Sequence, residues 1–168
     1  VLFLLGADEI DTTSLGSTFV VYIGTHGDAG AHRADVILPG AAYTEKSGTF
    51  VNTEGRVQIA NLAGFPPGDA REDWAILRAL SDVLGHKLPF DSLGELRRAL
   101  YAAHPHLAAV DTVRAGDFAD VAALASAGGS LGWAAFANPI HDFYLTNPIA
   151  RASAYWNASA MAARQGSV

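Results

Sequence analysis

The sequence contains no cysteine among its 168 residues. That absence excludes disulfide bonds, thiolate zinc sites and cysteine-ligated iron–sulfur clusters within the chain. Basic residues are also few, since 11 Lys and Arg stand against 17 Asp and Glu and give a net charge of −6. We therefore expect no basic face that would attract nucleic acid or an anionic lipid surface.

Long apolar runs are missing as well. None approaches the roughly 20 residues that a helix needs to cross a bilayer, so no direct membrane insertion is expected. Residues 1–5 are apolar, but they are too few for a signal peptide and lack a basic flank. Half of all residues are nevertheless hydrophobic and only 17% are charged. This composition predicts a folded domain with a sizeable core rather than a disordered segment.

Three short apolar runs predict a parallel sheet. Each is followed at once by glycine or by Pro-Gly, and they comprise residues 1–5, 19–23 and 36–38. Continuous apolar runs of this kind are typical of buried strands in a doubly wound α/β sheet. The connections are short for full helical crossovers, which take about a dozen residues. Single helical turns are therefore expected between some of the strands.

A β-hairpin is predicted directly after the third strand. Residues 49–51 and 56–59 form two short extended runs, separated by Asn-Thr-Glu-Gly at positions 52–55. Gly55 stands where a tight turn needs positive φ. Ligands of open α/β sheets bind beyond the carboxyl ends of the strands. The polar stretch that follows Leu38 is therefore the first place to search for a site.

Helical spacing replaces strand spacing after residue 68. The predicted helix-capping residues are Asp69 paired with Glu72, Ser92 paired with Glu95, Asp117, and Asn147 before Pro148. Behind Asp117 we expect Phe118, Val121 and Leu124 to face inward, and residues 149–160 to form one further helical stripe. Two regions result: an α/β region with a hairpin over residues 1–65, and a mainly helical region over residues 66–168 that packs on it.

Two blocks of sequence carry a family resemblance. Residues 34–58 include Asp-Val-Ile-Leu-Pro, Glu-Lys-Ser-Gly-Thr and Asn-Thr-Glu-Gly-Arg-Val-Gln, and residues 142–153 form the second block. The first block resembles the signature of the molybdopterin oxidoreductase superfamily. Both are similar to one branch of it, the large iron–sulfur subunit of NADH:quinone oxidoreductase (respiratory complex I). The resemblance implies the C-terminal portion of a molybdopterin-oxidoreductase-like doubly wound sheet with a hairpin, followed by a mainly helical tail.

The resemblance also implies a function. The chain would be a non-catalytic structural part of the peripheral-arm subunit of an enzyme that passes electrons from NADH towards quinone. Iron–sulfur clusters would lie in an N-terminal part of the subunit preceding Val1, with no cofactor in this chain. Its partners would be other peripheral-arm subunits. Its place would be the cytoplasmic face of a bacterial inner membrane or the matrix face of the mitochondrial inner membrane.

Residues 24–30, Gly-Thr-His-Gly-Asp-Ala-Gly, are the best candidate for a phosphate cradle, because glycines let backbone N–H groups approach an anion. Their spacing matches neither the P-loop nor the dinucleotide fingerprint. The alternative is a purely structural turn. The resemblance implies a retained fold without bound pterin, in which the remnants of a cofactor site would be His26, Gly27, His32, Glu45, Asn52 and Arg56.

No catalytic residue and no metal site is predicted. His26, Asp28 and His32 match no zinc or iron spacing. Glu45, Glu54 and Arg56 could act as acid, base and anion clamp, or an Arg–Glu pairing among them could hold the hairpin against the sheet. No serine stands in a nucleophile elbow.

Two other functions are compatible with the same residues. One is a piece of a molybdopterin-dependent oxidoreductase of the formate dehydrogenase or nitrate reductase kind. The other is a free-standing α/β binding module. Pterin-binding relatives generally continue into a β-barrel domain after the signature block, whereas this sequence becomes mainly helical. That departure favours the complex I branch.

Overall fold

The computed structural model describes residues 1–126, 128–130, 132–138, 140 and 142–165. The strands are β1 (Leu2–Leu5), β2 (Val20–Gly24), β3 (Val36–Pro39), β4 (Gly48–Val51) and β5 (Val57–Ala60). The α-helices are α1 (Ala29–Arg33), α2 (Asp73–Val83), α3 (Leu93–Ala103), α4 (Phe118–Ser126), α5 (Pro148–Ala152) and α6 (Ala154–Gln165). Short 3₁₀ turns cover Thr12–Leu15, Pro105–Ala108 and Phe143–Leu145.

The first three strands form a parallel sheet in the order β1-β2-β3. Val20 and Ile23 of the central strand are wholly buried, and Tyr22 is 1% exposed. The connections are one 3₁₀ turn and the short helix α1, as the short spacing between the apolar runs predicted. The parallel pairing is confirmed, while the doubly wound arrangement stays a prediction.

Two of the three strands are less buried than predicted. In β1 only Leu4 is buried, and in β3 Ile37 is 54% exposed. Both strands are edges of the three-stranded sheet, and their outward side chains have little of this chain packed on them. An apolar run thus identified the strands correctly, but it predicted burial that the chain alone does not provide.

The hairpin is confirmed. Strands β4 and β5 pair antiparallel, with Thr49 opposite Ile59, and Gly55 takes φ +81° in the turn. Asn52 fixes that turn through its side chain, whose Oδ1 accepts the backbone N–H of Glu54 at 3.1 Å and of Arg56 at 3.0 Å.

Of the caps predicted for α2 and α3, the one for α3 is right and the one for α2 is wrong. The Ser92 hydroxyl accepts the Glu95 N–H at 3.2 Å and starts α3. Helix α2, however, begins at Asp73 after Glu72, and Asp69 does not cap it. The Glu72 carboxylate is engaged elsewhere, because it accepts the Ser47 N–H at 3.2 Å and the indole N–H of Trp74.

The C-terminal helices depart further from expectation. Phe118, Val121 and Leu124 of α4 do not face inward; they are 88%, 59% and 79% exposed. The prediction of one helical stripe over residues 149–160 is also wrong, because the helix breaks at Ser153, whose ψ is 123°. The Asn157 side chain stabilises that break by donating to the Ser153 carbonyl at 2.8 Å. The cap predicted at Asn147 is confirmed, since Asn147 Oδ1 accepts the Ala150 N–H at 2.9 Å.

None of the helices within the described ranges is long and apolar enough to cross a membrane. The division at residue 65 stays a prediction.

Candidate functional site at the carboxyl edge of the sheet

Two carboxylates meet where β1 and β2 end. Asp8 follows β1 and Asp28 follows β2, and the carboxyl ends of parallel strands lie at one edge of a sheet. The Asp8 side chain has no exposed surface, and its Oδ2 accepts the Gly30 N–H at 2.7 Å. Asp28 accepts the Ala29 N–H at 2.8 Å and so caps α1.

A single arginine from the far end of the chain joins these carboxylates. The guanidinium of Arg151, on α5, pairs with Asp8 through Nη2 and with Asp28 through Nε. Its Nη1 lies 3.2 Å from Oε1 of Glu9. We call these four residues the Arg151 cluster. It links positions 123 to 143 residues apart, and charge-assisted contacts of this kind are the stronger hydrogen bonds in proteins.

The contacts of the cluster shift the pKa values of Asp28, of Arg151 and of the neighbouring Tyr22. The hydrogen bond from Arg151 lowers the pKa of Asp28 below its usual value, although partial burial opposes that shift. Burial would lower the pKa of Arg151, but the bond to Asp28 and the field of Asp8 outweigh it and raise that pKa. Burial, followed by the charge of Asp8, raises the pKa of Tyr22. At neutral pH the Asp28–Arg151 contact is therefore a full ion pair.

A groove of about 500 Å³ lies beside the cluster. One wall comes from the C-terminal strap, which we define as residues 142–165. Within the strap, Tyr144 stacks on Trp156 with ring centres 5.7 Å apart. The groove is lined by residues of the sheet edge, of the stretch leading into the hairpin and of the strap, among them Gly6, Thr25, Lys46, Phe50, Tyr144 and Trp156. Lys46 itself is paired with Asp73.

The predicted remnants of a cofactor site are only partly brought together. His26 and Glu45 line a second cavity of about 370 Å³. Both are already engaged locally, His26 Nδ1 with the Thr25 hydroxyl at 2.8 Å and Glu45 with the Ala42 N–H at 3.0 Å. Gly27 is exposed, with open space around its α-carbon.

The other three predicted residues lie apart from that cavity. His32 is exposed on α1, and Asn52 and Arg56 belong to the hairpin turn. Arg56 donates to the Asp111 carbonyl at 2.8 Å and lies 3.4 Å from the Glu54 carboxylate. These contacts fit the second interpretation given for Arg56 from the sequence, in which an Arg–Glu pair holds the hairpin.

The loop at residues 24–30 does not suit an anion. Two of its N–H groups, those of Ala29 and Gly30, already donate to carboxylates. A phosphate approaching them would meet the charges of Asp8 and Asp28, and like charges at that range repel. The N–H groups of Ala29 and Gly30 therefore do not fit the phosphate of a pterin nucleotide. Within the described ranges, no three His, Asp or Glu side chains are placed to hold a metal ion.

Sequence reasoning missed the Arg151 cluster. Asp8 was visible as a carboxylate directly after an apolar strand, and Arg151 lies inside the second resemblance block. Neither carries a spacing signal that would connect it to the other.

Comparison with known proteins assigns the chain to a family. The molybdopterin oxidoreductase family model matches residues 1–83. A second family model, which describes the C-terminal region of an NADH-ubiquinone oxidoreductase subunit, matches residues 109–155. The chain is 47% identical over 154 residues to the NADH-ubiquinone oxidoreductase 75 kDa subunit of Reclinomonas americana, a match covering 90% of this chain and 22% of that protein.

The chain belongs to the NADH-ubiquinone oxidoreductase 75 kDa subunit family. Similarity to two mitochondrial 78 kDa subunits supports this assignment. That of Candida albicans is 47% identical over 160 residues, and that of Neurospora crassa is 43% identical over 157 residues, each covering 90% of this chain. The chain spans 21 to 22% of the length of these three relatives.

The two family models divide the Arg151 cluster between them. Asp8, Glu9 and Asp28 fall within the part matched by the molybdopterin oxidoreductase model, whereas Arg151 falls within the part matched by the C-terminal model of the NADH-ubiquinone oxidoreductase subunit. The cluster thus joins a region of superfamily character to a region particular to this subunit family.

Proposed function

We propose that this chain is a non-catalytic structural part of the peripheral-arm iron–sulfur subunit of NADH:quinone oxidoreductase, complex I, which passes electrons from NADH towards quinone. The observation that carries the proposal is 43–47% identity to the large subunit of three organisms over 90% of the chain. Identity of that extent, spread over both matched regions, makes it the best supported function.

The geometry supports a mechanical role. Arg151 satisfies three carboxylates and ties the strap to the sheet edge. The loop that could have held an anionic cofactor is occupied by those carboxylates. The role of this part would be to stabilise the fold and to contact other peripheral-arm subunits. It would hold no cofactor of its own.

The electron carriers would then lie elsewhere in the subunit. Iron–sulfur clusters are held chiefly by cysteine thiolates, and this chain has no cysteine. We assign the clusters to the N-terminal part of the longer protein. The subunit would be a peripheral component on the matrix side of the mitochondrial inner membrane or the cytoplasmic side of a bacterial one.

The longer protein would also complete the sheet. Phe3 and Leu5 of β1, and Ile37 of β3, are 40–54% exposed in this chain. Parallel sheets are buried on both faces in known folds. Further strands and helices of the same subunit would cover these residues, which would make the sheet the C-terminal portion of a doubly wound one.

A second candidate is a piece of a molybdopterin-dependent oxidoreductase of the formate dehydrogenase or nitrate reductase kind. The match of residues 1–83 to the superfamily model favours it. The carboxylates at Asp8 and Asp28 count against it, because they occupy the N–H groups that would face a phosphate.

An antibody raised against this chain tests the main proposal. It is used to probe native gels of membranes from the organism that makes the protein, gently solubilised in detergent. The proposal expects the antibody signal in a large complex that reduces a tetrazolium dye with NADH. Signal confined to a small species that lacks NADH-dependent activity would contradict it.

A further inference from the structure

We propose that the C-terminal strap is a detachable cover, held on the carboxyl edge of the sheet by Arg151, which can leave that edge while the sheet stays folded. The strap comprises residues 142–165 and includes α5 and α6. Its departure would open the 500 Å³ groove, since Tyr144 and Trp156 of the strap line it. This device goes beyond the structural role proposed above and does not depend on it.

The strap has internal contacts that would survive detachment. Tyr144 stacks on Trp156 across the strap, and Arg164 pairs with Asp142 at 3.0 Å. Asn157 donates to the Arg151 carbonyl at 2.7 Å. These contacts lie wholly between residues of the strap, so they do not need the sheet.

The stretch that leads to the strap adds little to its attachment. The described residues from 111 to 125, 128 to 130 and 132 to 138 are all exposed. Trp133 and Phe136 have essentially their full surface accessible. Burial of apolar surface is the main source of tertiary stability, so this stretch does little to hold the strap in place.

The ion pairs that attach the strap to the sheet are concentrated at one side chain. In the described part of the chain, the three ion pairs between strap and sheet loops all use Arg151. Without that guanidinium, Asp8, Glu9 and Asp28 would face one another with no cation between them. Loss of one partner from a buried pair is costly because it leaves an uncompensated charge. Here the uncompensated charge destabilises the closed position of the strap relative to the detached one.

No cysteine occurs among these 168 residues, so two introduced cysteines allow a distance to be measured within this chain. Ser17 and Ala158 are both exposed, the first near the sheet and the second on α6. In the full chain, Ser17→Cys with Ala158→Cys gives a spin-label pair whose distance distribution reports the strap position. We expect one narrow distribution for the parent. With Arg151→Gln added, a displaced population should rise by at least about tenfold.

A matched control lies within the strap. Arg164→Gln removes an Arg–Asp pair of the same strap that does not touch the sheet, and it should leave the distribution unchanged. Asp28→Asn is a second test that keeps the α1 cap, because an amide oxygen can still accept the Ala29 N–H. It should displace the strap in part.

Amide exchange in β2 shows whether the sheet stays folded. The proposal expects the backbone N–H groups of Val20 to Gly24 to keep their protection in the Arg151→Gln chain. A parent-like distance distribution in that variant would overturn the proposal. Loss of β2 protection in step with strap displacement would also overturn it, because strap and sheet would then unfold together.

Discussion

The energetic coupling between Asp8 and Arg151 can be measured by a double-mutant cycle. The single changes are Asp8→Asn and Arg151→Met, which remove one charge each while keeping much of the side-chain volume. Asn at position 8 can still accept the Gly30 N–H, so the cycle isolates the ion pair from the local turn. The assay is urea unfolding of the full chain, followed by tryptophan fluorescence.

The expected magnitude follows from burial. The Asp8 side chain is 0% exposed and that of Arg151 is 25% exposed. Two unit charges about 4 Å apart attract by about 4 kcal/mol at an effective dielectric constant of about 20. Breaking a buried pair costs about 3–5 kcal/mol, whereas exposed pairs contribute about 0–1 kcal/mol. Because Arg151 is partly exposed, we expect Arg151→Met to cost about 2–3 kcal/mol, between the values for exposed and buried pairs.

The coupling energy should be about 1–3 kcal/mol, the range for residues in direct contact. Arg98→Met is the matched control, since Arg98 lies 3.9 Å from Glu95 in a pair whose side chains are 75% and 43% exposed. It should change stability by less than about 0.5 kcal/mol. Additive effects of Asp8→Asn and Arg151→Met, or an Arg151→Met cost no larger than that of the control, would refute the reasoning.

Three further predictions concern the core, the cluster and the hairpin. Ile23→Ala should lower the free energy of unfolding by about 2–5 kcal/mol, measured in urea, because Ile23 is wholly buried in the central strand. The pKa of Asp28 is lowered in the folded chain, so its stabilising contribution is present above the unfolded value of about 4 and is lost as pH falls through the folded value. In unfolding curves measured at a series of pH values, Asp28→Asn should reduce the loss of stability at acid pH. Gly55→Ala should cost about 1–2 kcal/mol in thermal or urea unfolding, because φ at that position is +81°.

Local signals in the sequence were enough to predict the strands and the hairpin. Continuous apolar runs ending in glycine identified β1, β2 and β3, and the Asn-Thr-Glu-Gly turn identified the pairing of β4 with β5. These features depend on neighbours within a few residues, which is why a single sequence displays them. The short links between parallel strands were likewise visible from length alone.

Long-range packing was not predictable in the same way. Phe118 and Leu124 have the spacing of a buried face, yet they are exposed in this chain, because spacing does not say which surface will cover a face. The cap at Asp69 failed because α2 begins only at Asp73, and the carboxylate of Glu72 accepts the N–H of Ser47, 25 residues away. The cluster between Asp8 and Arg151 spans 143 residues, and no local pattern encodes such a contact.

The most direct test of the central claim is the molybdenum content of the full-length protein. It is isolated from its native source with the antibody described above and analysed for metals after extensive dialysis. If this sheet edge serves a structural role and holds no pterin, molybdenum will be far below one atom per molecule. One molybdenum per molecule, accompanied by pterin fluorescence after oxidation, would contradict that claim.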